Sequence, residues 1–110
     1  MSGLSSTTSY EPRANDIACE NLVFNTQLAS PKEDVIDLFN VGDVLEVQLH
    51  HLNGQVVVYA LWQGQIAGGI ASGFLPRLRA CLVGGTAYIA TVMLKQGGQV
   101  QVRVCPELAQ

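Results

Sequence analysis

Acidic side chains are missing from most of the second half of this chain: between Val47 and Pro106 there is no carboxylate. Charge is scarce throughout. Only 14% of the 110 residues are charged, 48% are hydrophobic and the mean hydropathy is +0.25. A chain this apolar buries enough surface to fold, which excludes disorder. It also has little charge with which to clothe a free monomer, so some apolar surface is expected to meet a partner. One domain accounts for the length.

Histidine is limited to the adjacent pair His50 and His51. A nucleophilic serine or cysteine needs a base and a group that orients it. Neighbours on a strand point to opposite faces, so these two cannot serve one site, and both read as surface or turn residues. The carboxylates Glu33, Asp34 and Asp37 fall together on one short amphipathic segment and read as its solvated face. Gly64, Gly68 and Gly69 do not match a dinucleotide fingerprint, and Gly84-Gly85-Thr86 lacks the lysine of a phosphate loop. These absences predict a protein that is not an enzyme and carries neither a cofactor nor a metal.

Cysteine is also sparse. Cys19, Cys81 and Cys105 are odd in number and widely spaced, which fits neither a disulfide framework nor a zinc half-site. Three buried thiols in a reducing cytoplasm are expected. The opening MSGLSSTTSYEPRAN has neither the basic start nor the apolar core of a secretory signal.

One uncharged run is long enough to cross a bilayer: residues 56–75, followed by Arg77 and Arg79. It carries small residues four apart, Gly68 with Ser72 and Gly69 with Gly73, as membrane helix pairs do. Against a span stand Gln63 and Gln65 around Gly64, and the β-branched Val56–Val58 directly after Asn53-Gly54. Those are hairpin signals, and no membrane association is expected.

The charge that exists is segregated. Residues 1–55 hold eight acids against Arg13 and Lys32, whereas residues 56–110 hold Arg77, Arg79, Lys95 and Arg103 against Glu107. The net charge of -3 therefore hides a basic second half, a hint of an anionic partner if folding gathers those cations.

Residues 1–15, rich in Ser, Thr, Pro and Asn, read as a flexible N-terminal tail. A single domain is expected over 16–106, with a short C-terminal tail at 107–110. Leu22, Phe24 and Leu28 alternate with polar neighbours as in a half-buried strand. Ser30-Pro31-Lys32-Glu33 has the residues of a capped helix start, with Val35, Ile36, Leu38 and Phe39 as its apolar stripe and Asn40–Gly42 as its end.

Leu45, Val47 and Leu49 alternate with Glu46, Gln48 and His50. Tight turns at Asn53-Gly54 and Gln63-Gly64 then return the chain as Gln55–Trp62 and again as Gln65–Ala71, a three-stranded meander in which Gly68-Gly69 suggests a bulge. Ser72 is placed to cap a second helix carrying Phe74, Leu75, Leu78, Cys81 and Leu82, which Gly84-Gly85 ends. Thr86–Lys95 and Gln99–Cys105 form a last hairpin. Six strands and two short helices predict a mainly β, α+β fold: a small, strongly bent antiparallel sheet or barrel.

The segment with most chemical character is Gly73-Phe74-Leu75-Pro76-Arg77, where a strand hands over to a helix whose start offers unpaired N–H groups and a positive dipole end. It resembles the Gly-aromatic-Leu-Pro-Arg signature of HIRAN domains, small β-barrel modules with two helices found in DNA-repair helicases and as standalone bacterial proteins. Val41-Gly42-Asp43-Val44-Leu45 and Tyr88–Val92 resemble two strands of that family. The resemblance implies recognition of single-stranded DNA ends without catalysis, with Phe74 as a base-stacking surface and Arg77 as a phosphate contact. His50-His51-Leu52-Asn53-Gly54 stands where the family has an acidic, asparagine-rich loop, a departure from its pattern.

Two functions are thus expected. The first is a non-catalytic accessory or protein-interaction module, with a homodimer as its simplest assembly, because candidate edge strands carry Gln and Val in place of protective lysines. The alternative is a module that binds single-stranded nucleic acid or another anion through Phe74, Arg77, Arg79 and Arg103.

Overall fold

Positive backbone φ at the hairpin corners organises the chain, whose structure, a computed structural model, describes residues 17–107. Asn53 and Gly54 have φ of 51° and 80°, and Gln63 and Gly64 have 49° and 85°. These are the paired left-handed residues that a two-residue hairpin turn requires. They join β2 (Val44–Leu52), β3 (Gln55–Trp62) and β4 (Gln65–Gly69) into the expected meander. Gly97 and Gly98 turn the chain between β5 (Tyr88–Gln96) and β6 (Gln99–Pro106) in the same way. β1 (Phe24–Gln27) pairs with β6, and β5 pairs with β2. The result is one antiparallel sheet in the order β1-β6-β5-β2-β3-β4.

The sheet curls, and its two edge strands meet at a point. Ala29 and Gly69 exchange N–H···O hydrogen bonds of 2.9 and 2.8 Å, and the Lys32 N–H donates to the Ala67 carbonyl at 2.8 Å. Thr26 Oγ1 donates to the Ala71 carbonyl at 2.9 Å. This is one bridge and two flanking contacts, not a ladder, so barrel describes the fold only loosely. Gly68 permits the approach: a Cβ there would lie 3.1 Å from both the Ala29 carbonyl oxygen and Leu28 Cβ. The register shift in β4 leaves Ala67 as an extra residue beside Gly68, where the glycine pair suggested a bulge.

Closure reshapes the first helix. The helix expected from Ser30 is one turn, α1 (Glu33–Ile36), with Lys32 at its cap position. Ser30 has φ of 48° and no capping role, because Ala29 and Lys32 give their N–H groups to β4. Val35, Ile36 and Phe39 are buried, but Leu38 faces solvent. Lys95 holds the far end of the turn, its Nζ donating to the carbonyls of Ile36 and Phe39 at 2.8 and 2.7 Å.

The second helix, α2 (Leu75–Val83), forms where expected, but Phe74 and not Ser72 occupies its cap position. Ser72 Oγ accepts the Phe74 N–H at 3.1 Å, and Pro76 sits in the first turn. At the other end the Gly85 and Thr86 N–H groups return to Leu82 and Cys81 carbonyls, with Gly85 at φ 102°, the closing pattern of a Schellman motif. Leu78 and Cys81 join a core made by Leu22, Phe24, Leu45, Val47, Val58, Tyr88, Val92, Val100, Val102 and Val104.

The cysteines depart from expectation. Cys19, in a 3-10 turn over Cys19–Asn21, is bonded to Cys81 across 62 residues of sequence. Only Cys105, half-buried on β6, is a free thiol. The wide spacing looked unlike a disulfide framework because the fold, not a sequence motif, brings the two residues together. His50 also differs: it lies half-buried, edge-on to Tyr59 with ring centroids 5.1 Å apart and with Nε2 3.0 Å from Gln48 Oε1. The tail expected over 1–15 lies outside the described residues, as do residues 108–110. No helix among the described residues is long and apolar enough to cross a membrane.

Candidate binding cleft

The residues singled out at the start of α2 point to different places. Phe74 stacks on Phe24, centroids 5.2 Å apart at 20°, so one ring face is already covered within the protein. Arg77 Nε donates to the Ile17 carbonyl at 2.9 Å, pinning the segment that precedes β1. Tyr88 supports the same segment by donating its hydroxyl to the Cys19 carbonyl. Burial raises the Tyr88 phenol above its ordinary value, a rise opposed by the nearby Arg77 charge and reinforced by Glu20. Together with the disulfide, these contacts make the Arg77 side of α2 an anchor for Ile17–Leu22.

Arg79 is two residues further along α2 and therefore about 200° around it. It lines a cleft of about 440 Å³ on the other side of the helix. Leu75, one turn before it, shares that cleft, as the i, i+4 spacing dictates. Arg103 lies elsewhere: it is exposed on β6, in register with Asn25 and Thr91, and takes no part in the cleft. The four candidate contacts thus do not form one surface.

The cleft has a cationic rim and an apolar floor. Lys32 faces it from the loop after β1 and Arg79 from α2, while Val57, Val58, Ile66, Ile70 and Leu75 supply apolar lining. Tyr59, Gln55 and Ser30 add neutral polar groups, and among the described residues no carboxylate takes part. Among the described residues neither Arg79 nor Lys32 is within salt-bridge distance of an acid. The cleft is where the second half's missing carboxylates tell most, since β3, β4 and α2 all come from that stretch.

Its long wall is the half of β3 whose β4-side flank is unpaired among the described residues. β3 pairs with β2 along Gln55–Leu61, but with β4 only over Tyr59–Trp62. Beyond that, the Ile70 N–H reaches the Val58 carbonyl at 2.9 Å and the chain turns away into Ser72 and α2. In an antiparallel ladder, backbone groups of alternate residues face alternate neighbours. Val58 faces the β4 side, so Val56 does too. Its N–H and carbonyl open on the cleft, and its side chain is 36% exposed.

A second hollow, about 400 Å³, lies by α1 and the β5–β6 turn. It is lined by Glu33 and Asp37, and Lys95 there is committed to the α1 carbonyls. Among the described residues no group of three His, Cys, Asp or Glu could hold a metal ion.

Residue patterns pointed to Arg79 but not to Lys32 or the open flank of β3. Lys32 looked like part of a helix cap, and an unpaired flank depends on where β4 ends, which no local motif encodes. Comparison of the chain with protein-family models, with curated proteins and with solved structures finds no match.

Proposed function

We propose that the protein is a non-catalytic interaction module that receives a partner in the cleft between β3 and α2. The observation that carries this reading is Val56 on β3, whose N–H and carbonyl face the β4 side beyond the last β3–β4 pair, beside a cleft of ligand size. Unpaired edge strands recruit other chains unless they are protected, and this one carries Gln and Val where lysine would blunt it. The experiment is to perturb that flank alone. Val56→Pro removes an N–H that faces the cleft and spares the β2 ladder, so a partner isolated with the native protein should be lost while the fold is kept. Retention of the partner by a folded Val56→Pro protein rejects the reading.

Self-association is a second reading, favoured by a separate apolar patch. Val41, Val44 and Met93 are 58, 49 and 49% exposed. They lie close together, because Val44 is in register with Thr91 and the Gly42 N–H bonds the Val92 carbonyl. Sedimentation velocity should then show a dimer that Val44→Lys dissociates; a monomer at all concentrations removes this reading. Binding of single-stranded nucleic acid draws less support than the residue pattern suggested, since Phe74 and Arg77 have partners within the chain. The Cys19–Cys81 bridge also bears on location: disulfides persist in oxidising compartments and are rare in a reducing cytoplasm. The cytoplasmic location expected from cysteine spacing loses its main support.

A further inference from the structure

Resting on the reading of the cleft as a partner site, we infer that its occupant is an extended acidic peptide segment that adds to β3 as a strand and is selected by Arg79 and Lys32. The backbone defines the mode. Val56 offers one donor and one acceptor on the same flank, so an incoming strand gains a pair of main-chain hydrogen bonds, the usual source of affinity in strand addition. The apolar lining of Val57, Ile66, Ile70 and Leu75 suits the alternate side chains of such a strand.

The charge defines the chemistry. Lys32, on the loop after β1, and Arg79, on α2, both line the cleft, and no carboxylate does so among the described residues. An acidic side chain laid along β3 beside them would gain charge-assisted hydrogen bonds. The same arrangement disfavours a second copy as occupant, because two-fold pairing of β3 edges would bring two such cationic rims together.

The test uses the intact oxidised protein and three fluorescein-labelled short peptides of alternating threonine and valine, with glutamate, glutamine or lysine at the central positions. Binding is read by anisotropy and by amide chemical-shift changes. The glutamate peptide should shift the amides of Gln55–Val58 and bind about tenfold more tightly than the glutamine peptide. The lysine peptide should bind more weakly still, and Arg79→Glu should reverse the order. Backbone N-methylation of the peptide on its pairing flank should abolish binding, a control that leaves the protein untouched.

If all three peptides bind equally at Gln55–Val58 and N-methylation abolishes each, the cleft reading stands and its acidic selectivity is overturned. If no peptide shifts those amides at millimolar concentration, both are overturned. Shifts there that grow with protein concentration alone would identify a second copy and overturn the proposal. So would an unlabelled oligothymidylate that displaces the glutamate peptide and binds a Val56→Pro protein undiminished.

Discussion

Reducing the Cys19–Cys81 bridge should destabilise the protein with little change to its native structure. The two residues are 62 apart in sequence. Cross-linking a loop of that size removes about 14 cal/mol/K of chain entropy from the unfolded ensemble, or about 4 kcal/mol at 25 °C. That is a large share of the roughly 5–15 kcal/mol by which domains are stable. The native contacts nearby do not depend on the bond: Arg77 still holds the Ile17 carbonyl, Tyr88 still holds the Cys19 carbonyl, and Leu22 is fully buried. The effect should therefore fall on the unfolded state.

With a urea m-value of about 1.5 kcal/mol/M, reduction should lower the unfolding midpoint by roughly 2.5–3 M. The amide spectrum of the reduced native protein should stay close to that of the oxidised form. Reduced native protein is a better comparison than Cys19→Ala/Cys81→Ala, because alanine also removes sulfur from the buried Cys81 site. Thiol titration supplies the independent check. The unreduced, denatured chain should yield one reactive thiol, from Cys105, out of three cysteines. Three titratable thiols, or a midpoint shift below about 0.5 M, would refute the reasoning.

Other perturbations test the closure of the sheet and the supports beside it. Gly68→Val should cost about 1–3 kcal/mol, since its Cβ would press on the Ala29 carbonyl and Leu28 Cβ, and hydrogen exchange at Ala29 and Gly69 should quicken before that of β5 and β6. Lys95→Met should cost about 1–3 kcal/mol in urea unfolding by leaving the Ile36 and Phe39 carbonyls without their charged donor. For Tyr88 the folded pKa is raised, so its contribution to stability is complete below the unfolded value near pH 10 and declines as pH rises through the folded value. Urea midpoints measured across that window should fall more steeply for the native protein than for Tyr88→Phe.

Much of this fold could be read from local chemistry, and the parts that could not share a cause. Asn53-Gly54 and Gln63-Gly64 announce hairpins because few other pairs tolerate two positive φ values in succession. The parity of Leu45 and Val47, and of Val100, Val102 and Val104, marks the buried face correctly. Pro76 and Gly84-Gly85 stand at the ends of α2 where their backbone chemistry puts them, whereas Ser72 lies two residues before the actual cap position, Phe74, and bonds its N–H. Each of these signals is complete within a few residues. The first helix starts later and is shorter than its cap signal suggests, because the Lys32 N–H, which Ser30 would have capped, is claimed by Ala67, 35 positions away. Cys19 and Cys81, and the engagement of Arg77 with Ile17, are likewise products of distant segments meeting. A guanidinium at a helix start looks alike in sequence whether it waits for an anion or holds a carbonyl of its own chain.

The open flank of β3 is the complement of the closed one on β4. A curled six-stranded sheet has two edges to protect, and here Gly68 lets Ala29 reach Gly69, so the end of β4 is covered by the segment just after β1. That closure holds β4 to β1 at Gly69 and sends the chain into α2 immediately afterwards, leaving the hairpin end of β3 longer than its neighbour. One short glycine-dependent contact thus sets the length of strand that stays unpaired. Gly68→Val should accordingly act on two things at once, loosening the Ala29–Gly69 bridge and altering the flank at Gln55–Val58, whereas Arg79→Glu should change the charge of the cleft and leave the bridge intact. Amide exchange at Ala29 and Gly69, read in both variants, separates the two effects. Equal protection of the bridge in Gly68→Val and in the native protein would break the proposed connection between closure and the open edge.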